Sequence, residues 1–92
     1  MIKSFKHKGL EKFFSENSQK GINPQHAKKL RFILALLNAA TLPSDMNAPG
    51  LQLHSLKGGR KGQYAVSVSG NWRITFEFTN ENVHAVNYED YH

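Results

Sequence analysis

The hydrophobic periodicity of this chain changes once, at Pro49-Gly50, and that change constrains the fold more than any other feature. Before it, Leu10, Phe13 and Phe14 fall at i, i+3 and i+4, and Ala27, Leu30, Ile33, Leu34 and Leu37 trace one face of a helix reaching about Ala40. Asn23-Pro24 opens this second helix, with Asn as the cap and Pro at the first helical position, where its missing N–H costs nothing. After Gly50 the apolar residues recur at every second position: Leu51 and Leu53, then Tyr64, Val66 and Val68, then Trp72, Ile74, Phe76 and Phe78. A fourth β-rich segment covers Val83 to Tyr88, with tight polar turns at Ser69-Gly70-Asn71 and Thr79-Asn80-Glu81-Asn82. Ile2 to Phe5 reads as a short first strand, and Thr41 to Gly50, with Pro43, Asp45, Asn47 and Pro49, as a connecting loop. Helices followed by strands predict an α+β domain: two N-terminal helices on the apolar face of an antiparallel sheet whose polar face stays open.

Ninety-two residues suffice for one hydrophobic core, so residues 1–92 are read as a single domain. Cysteine is absent, which excludes disulfides, thiolate zinc sites, iron–sulfur clusters and a cysteine nucleophile. Charges interrupt the N-terminal segment before any apolar run typical of a secretory signal, and Phe32 to Leu37 is too short to span a bilayer. The expectation is a cytoplasmic protein without a membrane partner. Its net charge of +5 is unevenly spread: residues 1–32 hold eight basic residues against two acidic, and the basic Lys57, Arg60 and Lys61 cluster in one loop. Such asymmetry suits a polyanion on one side of the molecule, and it equally suits lysines on solvated helix faces.

Strand alternation indicates which side chains share the open face. With Trp72, Ile74, Phe76 and Phe78 turned to the helices, Arg73, Thr75 and Glu77 point the other way, and His54 joins them if Leu51 and Leu53 point inward. A bland reading fits as well, in which the face is solvated and Arg73 pairs with an acidic cross-strand neighbour. The loop Lys57-Gly-Gly-Arg-Lys-Gly62 lacks the spacing of a nucleotide-binding P-loop. Its glycines allow close approach to a phosphate while its cations supply charge, though a glycine-rich hairpin connection looks the same. The chain closes on Asp90-Tyr91-His92, an acid, a phenol and an imidazole in succession. Cleavage of an RNA phosphodiester needs a base for the 2′-OH, an acid for the leaving 5′-oxygen and a fixed cation. His54, His92, Asp90 and Arg73 can supply these without a metal or cofactor. His7, His26 and His84 are read as structural or solvated, because no histidine pair has the spacing of a helical metal site.

The start Met1-Ile-Lys-Ser-Phe-Lys-His-Lys-Gly-Leu10, the stretch Leu53-His-Ser-Leu-Lys-Gly58, the strand Asn71-Trp-Arg-Ile-Thr-Phe-Glu-Phe78 and the ending Asn87-Tyr-Glu-Asp-Tyr-His92 together resemble the HigB branch of the RelE/ParE toxin superfamily. The resemblance covers essentially the whole chain and implies a microbial-ribonuclease (RelE-like) fold. It further implies a ribosome-dependent mRNA endonuclease that cuts in the ribosomal A site and inhibits translation. The implied partners are a HigA-like helix-turn-helix antitoxin, the 70S ribosome with its 16S rRNA, mRNA, and operator DNA through the antitoxin complex. Family site positions fall on His54, Lys57, Arg73, Asp90, Tyr91 and His92. Arg73 and Lys57 would hold the phosphate, assisted by Arg60 and Lys61, with His92 as base and His54 as acid or second proton carrier. Asp90 would orient an imidazole, and Tyr91 would stack on a base or donate to the phosphate. Lys28, Lys29 and Arg31, off the core face of the second helix, would contact rRNA. Gly59 and Tyr64 depart from a family pattern that more often has Asp or Asn in the loop and Trp near Tyr64. A non-catalytic ParE-like gyrase poison and a plain ribosome- or RNA-binding module are the alternatives; the histidines, arginine and terminal triplet in motif context favour the nuclease.

Overall fold

The computed structural model of the chain describes residues 1–60 and 62–91, with Arg60 described in its backbone alone. Helix α1 spans Lys8–Glu16 and helix α2 Ala27–Ala39; both precede the strands β1 (His54–Ser55), β2 (Gln63–Ser69), β3 (Trp72–Thr79) and β4 (Asn82–Asp90). The strands form one antiparallel sheet in the order β1-β2-β3-β4. The α+β architecture read from the change in period is therefore the observed one.

The helices start where local chemistry caps them. His7 Nδ1 accepts the Leu10 amide at 3.0 Å, satisfying one of the otherwise unpaired donors of α1. Asn23 Oδ1 accepts the Gln25 amide and caps a 3-10 turn, Pro24–His26, that leads into α2. Asn17 ends α1 in the left-handed conformation with φ 58°. Leu10, Phe13, Leu30, Ile33, Leu34 and Leu37 pack on Val66, Ile74, Phe76, Val83 and Val86 of the sheet. Phe14, expected in the same stripe, lies at its margin with 39% exposure and rests on the ring of Phe5 at 5.7 Å.

Two parts of the chain differ from their sequence reading. Ile2 to Phe5 forms no strand of its own; it runs parallel to β4 through bridges at Ile2–Val83 and Phe5–Val86, covering an edge that would otherwise present open backbone groups. The connection from Thr41 to Gly50 contains a 3-10 turn, Pro43–Met46, that drives Met46 fully into the core. Asp45 stabilises that turn by accepting the Thr41 and Leu42 amides, which holds its carboxyl below the usual range.

Tyr88 ties helices to sheet. Its ring stacks on Trp72 at 4.6 Å, meets the edges of His7 and His26, and its hydroxyl lies 2.6 Å from His26 Nδ1. That inward position depends on a bulge. The pairs Glu77–His84 and Thr75–Asn87 differ by one residue in register, and the extra residue falls at Ala85, whose φ is 53°. The Ala85 amide is taken up by Ser4 Oγ at 2.9 Å.

Two outcomes follow for stability. An L-residue at positive φ tolerates no branching at Cβ, so Ala85→Val should cost about 1–3 kcal/mol in urea unfolding, whereas Ala85→Gly should cost nothing. Burial lowers the pKa of His7 below 6.5. The unfolded chain therefore takes up this proton first as the pH falls, and stability present above that value is lost as the pH drops through it toward the lowered folded value. His7→Asn keeps a cap acceptor without titrating there, and should flatten this part of the stability–pH curve.

Candidate active site

Where the outward face of the sheet meets the β2–β3 turn, His54, Ser67, Gly70, Asn71, Trp72, Arg73 and Tyr91 line a cleft of about 210 Å³. Its position follows from register. Ser67 stands opposite Arg73 and Arg73 opposite Glu89, so these three share a face, and His54 opposite Ala65 belongs to the same face.

His54 is exposed on the short edge strand, and its Nδ1 lies 2.9 Å from the Gln52 carbonyl. A carbonyl only accepts, so Nδ1 carries the hydrogen, and in the neutral ring Nε2 holds the lone pair available to a substrate proton. Gln52 is itself in the left-handed region at φ 53°, and its side-chain Oε1 accepts Ser67 Oγ at 3.1 Å. One residue thus fixes both the imidazole and a polar wall of the cleft.

Arg73 departs from the solvated face that alternation suggested: it is 9% exposed. The ring of Tyr91 lies 4.0 Å from its guanidinium carbon, and its Nε donates to Glu89 Oε1 at 3.1 Å. Thr75 on the same face is also buried. The face is open to solvent at His54 and Tyr91 and closed at Arg73, over which Tyr91 folds back, its amide donating to the Asn71 carbonyl at 2.7 Å. Tyr91 keeps 58% exposure while covering the arginine.

The remaining expected site residues are less concentrated. Asp90 is exposed and opposite Trp72 in register, one place beyond Glu89, and it does not line the cleft. Lys57 is exposed just before the 3-10 turn Gly58–Arg60 and likewise lies outside the cleft lining. Lys61 and His92 lie outside the described residues, as does the side chain of Arg60. Lys28 and Lys29 are on α2, across the sheet from the cleft; Arg31, on the same helix, donates through Nε and Nη2 to Asn17 Oδ1 and lies over the Phe13 ring. Arg31 therefore clasps the two helices together as well as adding charge. Gln52, Ser67, Trp72 and Glu89 were not expected at the site. Ser67 was legible from its parity with Arg73 across the hairpin, whereas Gln52 and Glu89 depend on a left-handed residue and a bulge that periodicity does not reveal. Among the described residues no group of three or more His, Asp or Glu is arranged to hold a metal ion.

The family model for the RelE-like toxin of type II toxin-antitoxin system HigB matches residues 3–92. The chain belongs to that family. As a HigB-like toxin it is 42% identical over 92 residues to Endoribonuclease HigB of Proteus vulgaris, covering the whole of both chains. Toxin HigB-1 of Vibrio cholerae serotype O1 is 30% identical over 80 residues, covering 85% of this chain and 84% of the relative. The crystal structure of a YafQ mutant from E. coli aligns with a TM-score of 0.59 at 17% identity, over 98% of this chain and 93% of that one. At that identity the likeness speaks for the fold. This HigB-like chain is thus a toxin of a type II toxin–antitoxin system, which implies an antitoxin partner. Among the described residues no helix is long and apolar enough to cross a membrane.

Proposed function

We propose that this toxin is an endoribonuclease that cuts mRNA on the ribosome by attack of a 2′-OH on the adjacent phosphate. The observation that carries the reading is the convergence of His54, Arg73 and Tyr91 on one cleft. The relative from Proteus vulgaris, named an endoribonuclease and matched along its full length, supports it.

The step forms the O2′–P bond and breaks P–O5′; a base takes the 2′ proton and an acid delivers one to the 5′-oxygen, leaving a 2′,3′-cyclic phosphate. His92 serves as base and His54 as the second proton carrier: with Nδ1–H held on the Gln52 carbonyl, Nε2 is the nitrogen left to exchange protons, and it delivers one to the 5′-oxygen from the imidazolium form. Asp90 orients the terminal imidazole. Arg73, desolvated and fixed in orientation, meets charge developing on the phosphorane oxygens, where a low local dielectric strengthens the contact. Lys57, Arg60 and Lys61 hold the flanking backbone, and Tyr91 stacks on a base or donates to the phosphate. These steps need no metal ion or cofactor. The ribosome supplies the in-line geometry that a shallow cleft does not impose, so a nuclease this small need not cut free RNA. The basic outer face of α2, with Lys28, Lys29 and Arg31, docks on 16S rRNA. A HigA-like helix-turn-helix antitoxin restrains the toxin, and the pair binds operator DNA through the antitoxin. All of this takes place in the cytoplasm.

Purified protein with a free C-terminus, added to a defined message with and without programmed 70S ribosomes, should cut in register with the A site only when ribosomes are present. His92→Ala and Arg73→Ala should each lower single-turnover cleavage by about 10²–10³-fold. Arg73→Lys should not restore it, since an ammonium lacks the planar fork. Growth arrest without cuts would move the reading to gyrase or to ribosome binding alone. Separately, Lys28→Glu combined with Lys29→Glu should weaken sedimentation with ribosomes, and weaken it further at higher salt; unchanged binding would remove α2 from the docking face.

A further inference from the structure

Glu89 stands opposite Arg73 on the neighbouring strand, half-buried and not among the residues that line the cleft. A carboxylate 3.1 Å from a cation meant for phosphate is at first sight adverse, because it offsets the charge the substrate needs. Geometry gives it a different part. A guanidinium presents donors along fixed edges of one plane. Glu89 accepts the Nε hydrogen, and the guanidinium carbon sits over the Tyr91 ring, 4.0 Å from its centre. A hydrogen bond at Nε and a ring contact at the guanidinium carbon together leave the group little freedom to rotate. The Nη edge, which does not hold Glu89, belongs to a side chain that lines the cleft.

We propose that Glu89 is a positioning residue for Arg73: by accepting the Nε hydrogen it aims the Nη edge at the scissile phosphate, and it neither touches the RNA nor carries a proton. This rests on the endoribonuclease reading above. The proposal separates three effects that the carboxylate can have. If its charge alone mattered, Glu89→Gln and Glu89→Ala would both improve phosphate contact. If it carried a proton, both would fail alike, with an altered pH–rate profile. As a positioning acceptor, it is replaced by glutamine, whose carbonyl oxygen still accepts from Nε, and not by alanine.

The test is single-turnover cleavage on programmed ribosomes by both variants, each first shown to be folded by its melting temperature and circular dichroism. Glu89→Gln should retain the rate to within about threefold and keep the wild-type pH profile, since the acceptor survives. Glu89→Ala should lose about 10- to 100-fold in rate without a rise in half-saturating ribosome concentration, the signature of misplacement rather than weakened binding. In an Arg73→Ala background the alanine at 89 should cost nothing more. Equal loss in both single variants, no loss in Glu89→Ala, or a full loss persisting without Arg73 would each overturn the proposal. The Arg73 Nε–H resonance of the free protein provides a readout independent of cleavage. It should be slow to exchange in wild type and Glu89→Gln and fast in Glu89→Ala. An unchanged resonance in Glu89→Ala refutes the positioning role even if wild type cuts no message, and failure of wild type to cut, with the resonance behaving as expected, refutes the nuclease reading instead.

Discussion

One extra residue in β4, Ala85 at φ 53°, decides what the last strand shows to the core and what it shows to the cleft. From the Asn80-Glu81 turn, whose two central residues both have positive φ as a type I′ hairpin requires, the strands pair residue for residue as far as Glu77 and His84. Continued in that register, Arg73 would face Tyr88, and the phenol would lie on the open side of the sheet. The bulge shifts the remainder by one, so Tyr88 turns inward to Trp72 and His26 while Glu89 arrives opposite Arg73. Packing and site geometry therefore rest on the same backbone irregularity. The N-terminal segment secures it, since Ser4 accepts the amide that the bulge removes from the ladder.

Arg73 shows what this arrangement achieves. A buried guanidinium without partners would carry a large desolvation penalty; the Glu89 carboxylate and the Tyr91 ring offset it. In return the cation is held in place, and little of its rotamer entropy, about 2 kcal/mol for a free arginine, would remain to be lost on binding the proposed phosphate. His54 is treated differently: exposed on the two-residue β1, it is oriented through a single bond to the Gln52 carbonyl. A fixed cation beside an exposed, oriented imidazole fits the proposed reaction, in which the phosphate must be held still while protons enter and leave.

Much of this was legible in the sequence. The two helices, three of the four strands and the inward row Trp72, Ile74, Phe76 follow from period alone, because each element buries one face and the core enforces it. The placing of His54 and Arg73 on one face also followed from parity. What periodicity could not supply was anything that breaks the period. The bulge at Ala85, the left-handed Gln52 and the inward turn of Met46 carry no composition signal, since alanine, glutamine and methionine are not the residues that ordinarily mark a bulge, a positive φ or a plugged loop. The burial of Arg73 was hidden for another reason: it depends on Tyr91, beyond the last strand, folding back over the sheet, a contact that alternation within strands does not describe.

The two faces of the sheet divide the molecule's tasks. On one, α1 and α2 bury the apolar residues and carry Lys28, Lys29 and Arg31, with Arg31 also tying α2 to the end of α1 through Asn17. On the other, the cleft holds an imidazole and a clamped guanidinium. Tyr88 and Trp72 join them: Tyr88 bonds His26 at the start of α2 and stacks on Trp72, which lines the cleft. A small domain has few core residues to spare for such a link, so the side chains that make the core must also set the wall of the site. The packing of α2 against the sheet and the shape of the cleft are then not independent quantities, and a substitution at His26 or Tyr88 acts on both through Trp72.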